Sequence, residues 1–284
     1  MFKVISSMIS DLWARDRLSL FGIGLLIFLV LLGLIGPHLP LGDPMKIGAG
    51  PRLSPPSWAF PFGTDELGRS FLPRVVEGIR ATFLLSAAAV IITAVLGTIL
   101  GMLAGFFGGF ADQMVARGAD ILFAFPAILA GLLIAAVMGP GQISAITVIS
   151  IATLPLFIRV VRAVTMGLSG RGFIVAARVA GASPWRVMLV HILPNIIGAV
   201  IVQLTYALSV GMIIESALSF LGLGVQPPYA SLGSLLRQGS SYLTFAPWLV
   251  LSAGGVLSLA IMAVNLAGDA ARDALEPLKG RALK

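Results

Sequence analysis

Asp65 and Glu66, followed by Arg69, form the grouping in this sequence that comes closest to an acid–base pair. Two neighbouring carboxylates can divide the roles of general acid and general base when their surroundings separate their proton affinities. A plainer reading is favoured. Thr64 is a good N-cap, and acids in the first turn of a helix are stabilised by its dipole. The segment therefore reads as a helix start. The two histidines, His38 and His191, lie far apart, and there is no cysteine. That leaves no disulfide, no thiolate chemistry and no metal-ligand spacing, so His191 is read as a structural histidine at a membrane interface. No G-x-x-x-x-G-K-[ST] phosphate loop occurs, and no nucleotide site is expected on this chain. No residue is expected to perform bond chemistry, and no cofactor or metal is expected here.

The elements that hold these residues are set by apolarity. Of 284 residues, 58% are hydrophobic and 11% charged, against about 25% charged in an average soluble protein. Lipid tails can take the place of a buried core for such a chain. The net charge of +7 does not point to nucleic acid, because no module of interleaved aromatic and basic residues accompanies it. Six segments are long and apolar enough to cross a bilayer: residues 18–35, 81–103, 121–138, 143–158, 195–214 and 247–268. The chain is read as an all-α, polytopic membrane protein with six transmembrane helices. Its first segment is too long for a signal peptide and is expected to be retained. With the N-terminus inside, thirteen lysines and arginines fall inside, among them Lys3, Arg15, Arg17, Arg117, Lys279, Arg281 and Lys284, and six outside. The positive-inside bias thus predicts N-in, C-in. The chain divides into residues 1–80, one helix and an external loop, and 81–284, a five-helix core.

None of the six segments contains a charged residue or a histidine. Ion-coupled carriers place such groups in their spans, so that class is disfavoured. Glu215, just past the fifth segment, and Asp120, just before the third, are expected at the membrane interface. Asn265 is expected to hydrogen-bond a neighbouring helix, and Gly97, Gly101 and Gly105 form a stripe that admits close helix packing. Residues 215–246 make a long external connection, part of which is expected to dip into the membrane edge.

The connection at about 159–194 is the most informative on the inner side. It has five arginines and no acid. Phe173 to Ala180 is a run of helix formers, and Gly181 can take the left-handed conformation that ends a helix. Ser183 suits an N-cap and Pro184 the first helical position. A second helix follows, which Pro194 is expected to interrupt near the fifth segment. The small residues Ala176, Ala177 and Gly181 let another backbone approach. From spacing alone two uses stay open: a dock for a partner, or an amphipathic helix lying on anionic headgroups.

At these residues the sequence resembles the permease subunits of ABC importers, in the dipeptide, oligopeptide and nickel branch. The helix–turn–helix is similar to the EAA motif, with Ala176, Ala177, Gly181 and His191-Ile192-Leu193-Pro194-Asn195 in place. Phe62-Gly63-Thr64-Asp65-Glu66-Leu67-Gly68-Arg69 resembles the branch's G-T-D-x-x-G-R segment. Gly108-Gly109 with Asp112, Arg117, Asp120 and Phe125-Pro126 fits as well. So do Ser219 to Gly224 with Gln226-Pro227-Pro228, and Asn265 to Asp269 with Arg272-Asp273. Val175 stands where the motif has glutamate, and Ser70 where the family usually has aspartate. The N-terminal arrangement is similar to the second of the two permeases in such systems.

The resemblance implies a type I importer permease in a bacterial inner membrane, working by alternating access. The implied partners are a homologous permease, two ATP-binding cassette subunits that bind ATP and Mg, an extracytoplasmic solute-binding protein and membrane lipid. It also implies that Ala176, Ala177 and Gly181, with Phe173, Arg178 and Arg186 around them, dock an ATPase. The glycine stripe is expected to pack within the permease pair. Peptides are the implied cargo, with nickel or another small solute as the alternative. An autonomous channel or carrier, and a membrane scaffold without transport, remain as readings from other classes.

Overall fold

The computed structural model describes residues 17–275. Lys3, Arg15, Lys279, Arg281 and Lys284, which entered the charge count, lie outside them. Among the described residues the chain is helical, and extended pairing is limited to one bridge between Thr64 and Ser70. The helices are α1 (Arg17–Ile35), α2 (Phe71–Phe107), α3 (Gly109–Ala124), α4 (Ala127–Met138), α5 (Gln142–Ser169), α6 (Gly172–Val179), α7 (Leu193–Phe220), α8 (Leu232–Ser240) and α9 (Pro247–Leu275). Five stretches are long and apolar enough to span a membrane, and the bent pair α3–α4 makes a sixth if counted as one span. Six crossings return both ends of the described chain to one side. The packing agrees: Gly22, early in α1, lies under Leu266, late in α9, while Gly36, just beyond α1, lies under Val76 near the start of α2.

Several boundaries differ from the sequence reading for definite reasons. α2 starts at Phe71 and has 37 residues, about 55 Å of helix. Arg74, Glu77 and Arg80 keep its first turns below the apolar threshold, so residue 81 looked like its start, and the division after residue 80 falls inside it. The expected third span at 121–138 is not one straight helix. Pro126 forces Phe125 into an extended conformation (φ −90°, ψ 121°), and α3 and α4 meet at 87°. α5 runs on to Ser169 and carries Arg159 and Arg162 within it. Pro194 does not break its helix. A turn at Pro184–Arg186 leads into a π-helical stretch, Val187–Ile192, and directly into α7. The wider turn accommodates the missing N–H of Pro194: Leu193 N–H reaches back to Met188 O, and Asn195 Nδ2 donates to His191 O at 2.7 Å.

The glycine stripe faces the chain's own α5. A Cβ on Gly97 would stand 2.4 Å from Phe157 Cβ, one on Gly101 2.8 Å from Val161 Cβ, and one on Gly105 2.7 Å from Arg162 O. The expectation that this face packs against a second permease is therefore corrected. Long apolar helices can meet this closely only where one side has no side chain. Asn265 does bond a neighbouring helix, accepting from Ser209 Oγ at 2.6 Å.

The acids also find definite places. Asp65 does not open a helix; it is fully buried in the turn before α2. It accepts from Leu67 and Arg69 N–H, each at 2.9 Å, from Arg69 Nε at 2.7 Å and from Arg74 Nη1 at 2.5 Å. Thr64 Oγ1 donates to Pro51 O at 2.5 Å and accepts Ser54 N–H at 2.8 Å, so it ties the external segment instead of capping a helix. Glu215 is likewise shielded from water by protein. It lies inside α7 with no exposure and accepts from Thr82 Oγ1 at 3.0 Å and Ser219 Oγ at 2.7 Å. Those hydroxyls in turn accept Leu232 and Val225 N–H, each at 3.2 Å. One carboxylate thereby pins α2, α7, the loop after α7 and the start of α8 together. Asp120 pairs at 2.8 Å with Arg159, both well exposed, and Asp112 pairs with Arg162.

Candidate functional site

The segment from Arg171 to Arg186 projects from the face to which the arginine bias assigns the cytoplasm. α6 begins just past the end of α5 and holds for two turns. It stops at Gly181, whose φ of +81° suits a residue without a Cβ. The N–H of Ala180 returns to Ala176 O at 2.9 Å, and that of Ala182 to Ala177 O at 3.1 Å. Ser183 caps the next turn through Arg186 N–H at 3.4 Å, with Pro184 in its first position.

Two faces of this short helix differ sharply. Ile174 is completely buried against Met102, Val161, Leu168, Val187, Met188 and Ile192. A buried isoleucine contributes about 1.5–3 kcal/mol, enough to fasten an eight-residue helix that would not persist in isolation. Ala177 packs on the edge of the same cluster. The opposite side is exposed and apolar: Phe173 at 44%, Val179 at 83% and, beyond the turn, Trp185 at 61%. Ala176 and Gly181 lie on this open side, and no atom stands within 4 Å of where a Cβ on Gly181 would be. Arg186 is exposed beside Trp185. Arg178 is directed back onto its own chain, with its guanidinium 4.3 Å from the centroid of the Phe106 ring, a cation–π contact.

All six sequence-derived residues, Phe173, Ala176, Ala177, Arg178, Gly181 and Arg186, lie on this one helix–turn, with Ala177 and Arg178 engaged by the chain's own core and Phe106. Ile174 and Phe106 were missed. Ile174 could have been found as the apolar residue three before Ala177 in an amphipathic two-turn helix. Phe106 could not, because only the fold brings the end of α2 beneath α6. Val175, at the position where the motif has glutamate, is exposed at 46%. No group of three or more His, Asp or Glu able to hold a metal occurs among the described residues.

The comparisons with known proteins bear on this geometry. A family model described as the binding-protein-dependent transport system inner membrane component matches residues 97–280. The Di/tripeptide transport system permease protein DppC of Pseudomonas aeruginosa (strain UCBPP-PA14) is 37% identical over 96% of this chain and 93% of its own length. The Dipeptide transport system permease protein DppC of Haemophilus influenzae is 32% identical over 93% of this chain and 91% of its own. Among solved structures, a chain of the MetNI methionine ABC transporter in an inward-facing conformation superimposes with a TM-score of 0.61 at 18% identity. It covers 72% of this chain and 97% of that one.

Proposed function

The chain belongs to the family of binding-protein-dependent transport system inner membrane components, and from that premise we propose that it is the permease subunit of an ABC importer for small peptides. In this reading it forms the pathway with a homologous permease. Two ATP-binding cassette subunits, holding ATP and Mg, dock on the cytoplasmic side, and an extracytoplasmic solute-binding protein delivers the peptide. The peptide cargo is carried over from relatives named for di- and tripeptide transport.

The observation that carries the reading is the two-faced α6. Its solvent-exposed sides and the turn beyond it offer apolar residues, Phe173, Val179 and Trp185, with Arg171 and Arg186 nearby in the chain. Its inner face is keyed into the bundle by Ile174. A partner that pulls on α6 therefore acts at once on α2 through Met102 and Phe106, on α5 through Val161 and Leu168, and on the π-helical entry to α7 through Val187 and Ile192. Such a link suits a two-state permease whose inward- and outward-open forms are biased by events in another subunit. The same geometry argues against an amphipathic helix on the headgroups, since Ile174 and Arg178 are already engaged by protein.

Co-purification of the tagged chain from its native membrane tests this. Ala176→Trp adds bulk on the exposed face without touching the core, and Gly181→Trp adds bulk at the turn while also straining its positive φ. The wild type is expected to bring down a homologous permease and ATPase subunits, and both variants to lose the ATPases while keeping the permease. ATPases retained by both variants, or a wild-type chain recovered alone, would refute the dock.

A further inference from the structure

α1 rests on α2 and α9, and α2 on α7, yet α1 and α7 do not close on one another. They leave a half-open cavity of about 250 Å³, beside which Leu34 and Leu84 are exposed. Its floor is Leu29, Phe83 and Leu208, and its rim is Leu34, Leu84 and Arg80. Every other lining residue is apolar as well, so Arg80 is the one charged residue at the edge of an otherwise apolar cavity.

The depth of this groove in the membrane follows from helix register. Gly33 sits against the Arg80 backbone, where a Cβ would be 3.3 Å away, two residues before the outer end of α1 at Ile35. Arg80 is thereby level with the outer end of that span. From there the groove descends along α1 from Leu34 to Leu26 and along α2 from Arg80 to Ala87. At 1.5 Å per residue these are about 12 Å and about 10 Å. Two independent helices thus agree on a slot about 10 Å long that starts at the interface and runs down into hydrocarbon.

Arg80 is exposed and makes no ion pair among the described residues. Asp65, which takes both Arg69 and Arg74, does not take Arg80, and Glu77, one turn earlier on α2, makes no ion pair with it. An apolar slot of this kind does not hold water, which needs two or more polar partners. Where it opens to a bilayer it is filled by hydrocarbon. An arginine at the interface end adds a planar donor fork matched to phosphate oxygens.

We propose that this groove is a binding site for one phospholipid of the outer leaflet, with an acyl chain between α1, α2 and α7 and its phosphate paired with Arg80. The site does not depend on which solute the chain transports. A bound lipid would complete the seam where α1 is laid against the rest of the bundle.

Native mass spectrometry of the full complex, delipidated in detergent and given phosphatidylglycerol as probe, tests this. The wild type is expected to retain one phosphatidylglycerol per copy of this chain against washing. Arg80→Gln, an exposed change that leaves the helices intact, should weaken retention about tenfold or more, as loss of a charge-assisted contact does. Ala87→Trp should fill the slot and abolish retention with the complex still assembled, and Arg52→Gln, exposed elsewhere on the external segment, should change nothing. Equal retention by wild type, Arg80→Gln and Ala87→Trp would overturn the site. So would release of the homologous permease by Ala87→Trp with the lipid count unchanged, since the groove would then be covered by protein.

Discussion

Gly105 gives the sharpest test of how the bundle is packed. A methyl group there would lie 2.7 Å from Arg162 O and 2.7 Å from Thr165 Cβ, whereas carbon contacts are comfortable at about 3.5–4.0 Å. The first of these neighbours is backbone of α5, which has no rotamer to change. α2 and α5 would have to part by about 1 Å, loosening the contacts of Gly101 with Val161 and of Gly97 with Phe157. Overpacking of this kind costs about 1–3 kcal/mol, or about 5- to 150-fold in the folded-to-unfolded ratio. Gly118, within α3, is the control, because no atom lies within 4 Å of where its Cβ would be. Gly118→Ala should be neutral or stabilise by up to about 1 kcal/mol through helix propensity. The assay is denaturant unfolding of the isolated chain in detergent, followed by far-UV circular dichroism. Gly105→Ala should lower the midpoint and Gly118→Ala should not. If Gly105→Ala leaves the isolated chain as stable as wild type and only prevents its association with a second permease, the intramolecular packing of the stripe is wrong.

Two further perturbations address the buried acids. Glu215→Ala would strand the Thr82 and Ser219 hydroxyls in a dry interior at about 1–3 kcal/mol each, while Glu215→Gln keeps the volume and part of the bonding. Limited proteolysis after residue 220 should therefore be much faster in the alanine variant than in the glutamine variant, and equal rates would argue against the pinning role. Asp65→Asn would leave Arg69 and Arg74 buried without their countercharge, a loss of about 3–5 kcal/mol. The exposed Asp120–Arg159 pair should cost no more than about 1 kcal/mol on Asp120→Asn. Thermal unfolding of the two variants side by side checks that ranking.

Much of this architecture was legible in the residues, and the failures have physical causes. Apolar runs located the spans because a bilayer core imposes its thickness on a helix. They misplaced the start of α2 because Arg74 is neutralised by Asp65, a contact that arises only when the external turn folds back on it. Gly181, Ser183 and Pro184 wrote the helix–turn–helix plainly, since each acts on its own backbone. Pro194 misled, because a π-helical stretch can absorb what an α-helix cannot. The burial of Glu215 could not be read from its place at the end of an apolar run, because hydroxyls four residues away and on another helix, Ser219 and Thr82, replace the water that an acid would otherwise seek. Phe173, Ala176, Gly181 and Arg186 of the proposed dock followed from the motif, and Ile174 was within reach of helical periodicity, while Phe106 required the tertiary fold.

Uptake of a radiolabelled dipeptide by liposomes containing the assembled transporter and its binding protein addresses the central claim most directly. The account predicts accumulation that needs ATP on the ATPase side, and its abolition by Ala176→Trp with the chain still folded. Dipeptide entry through the chain alone without ATP, or full ATP-driven uptake by Ala176→Trp, would contradict it.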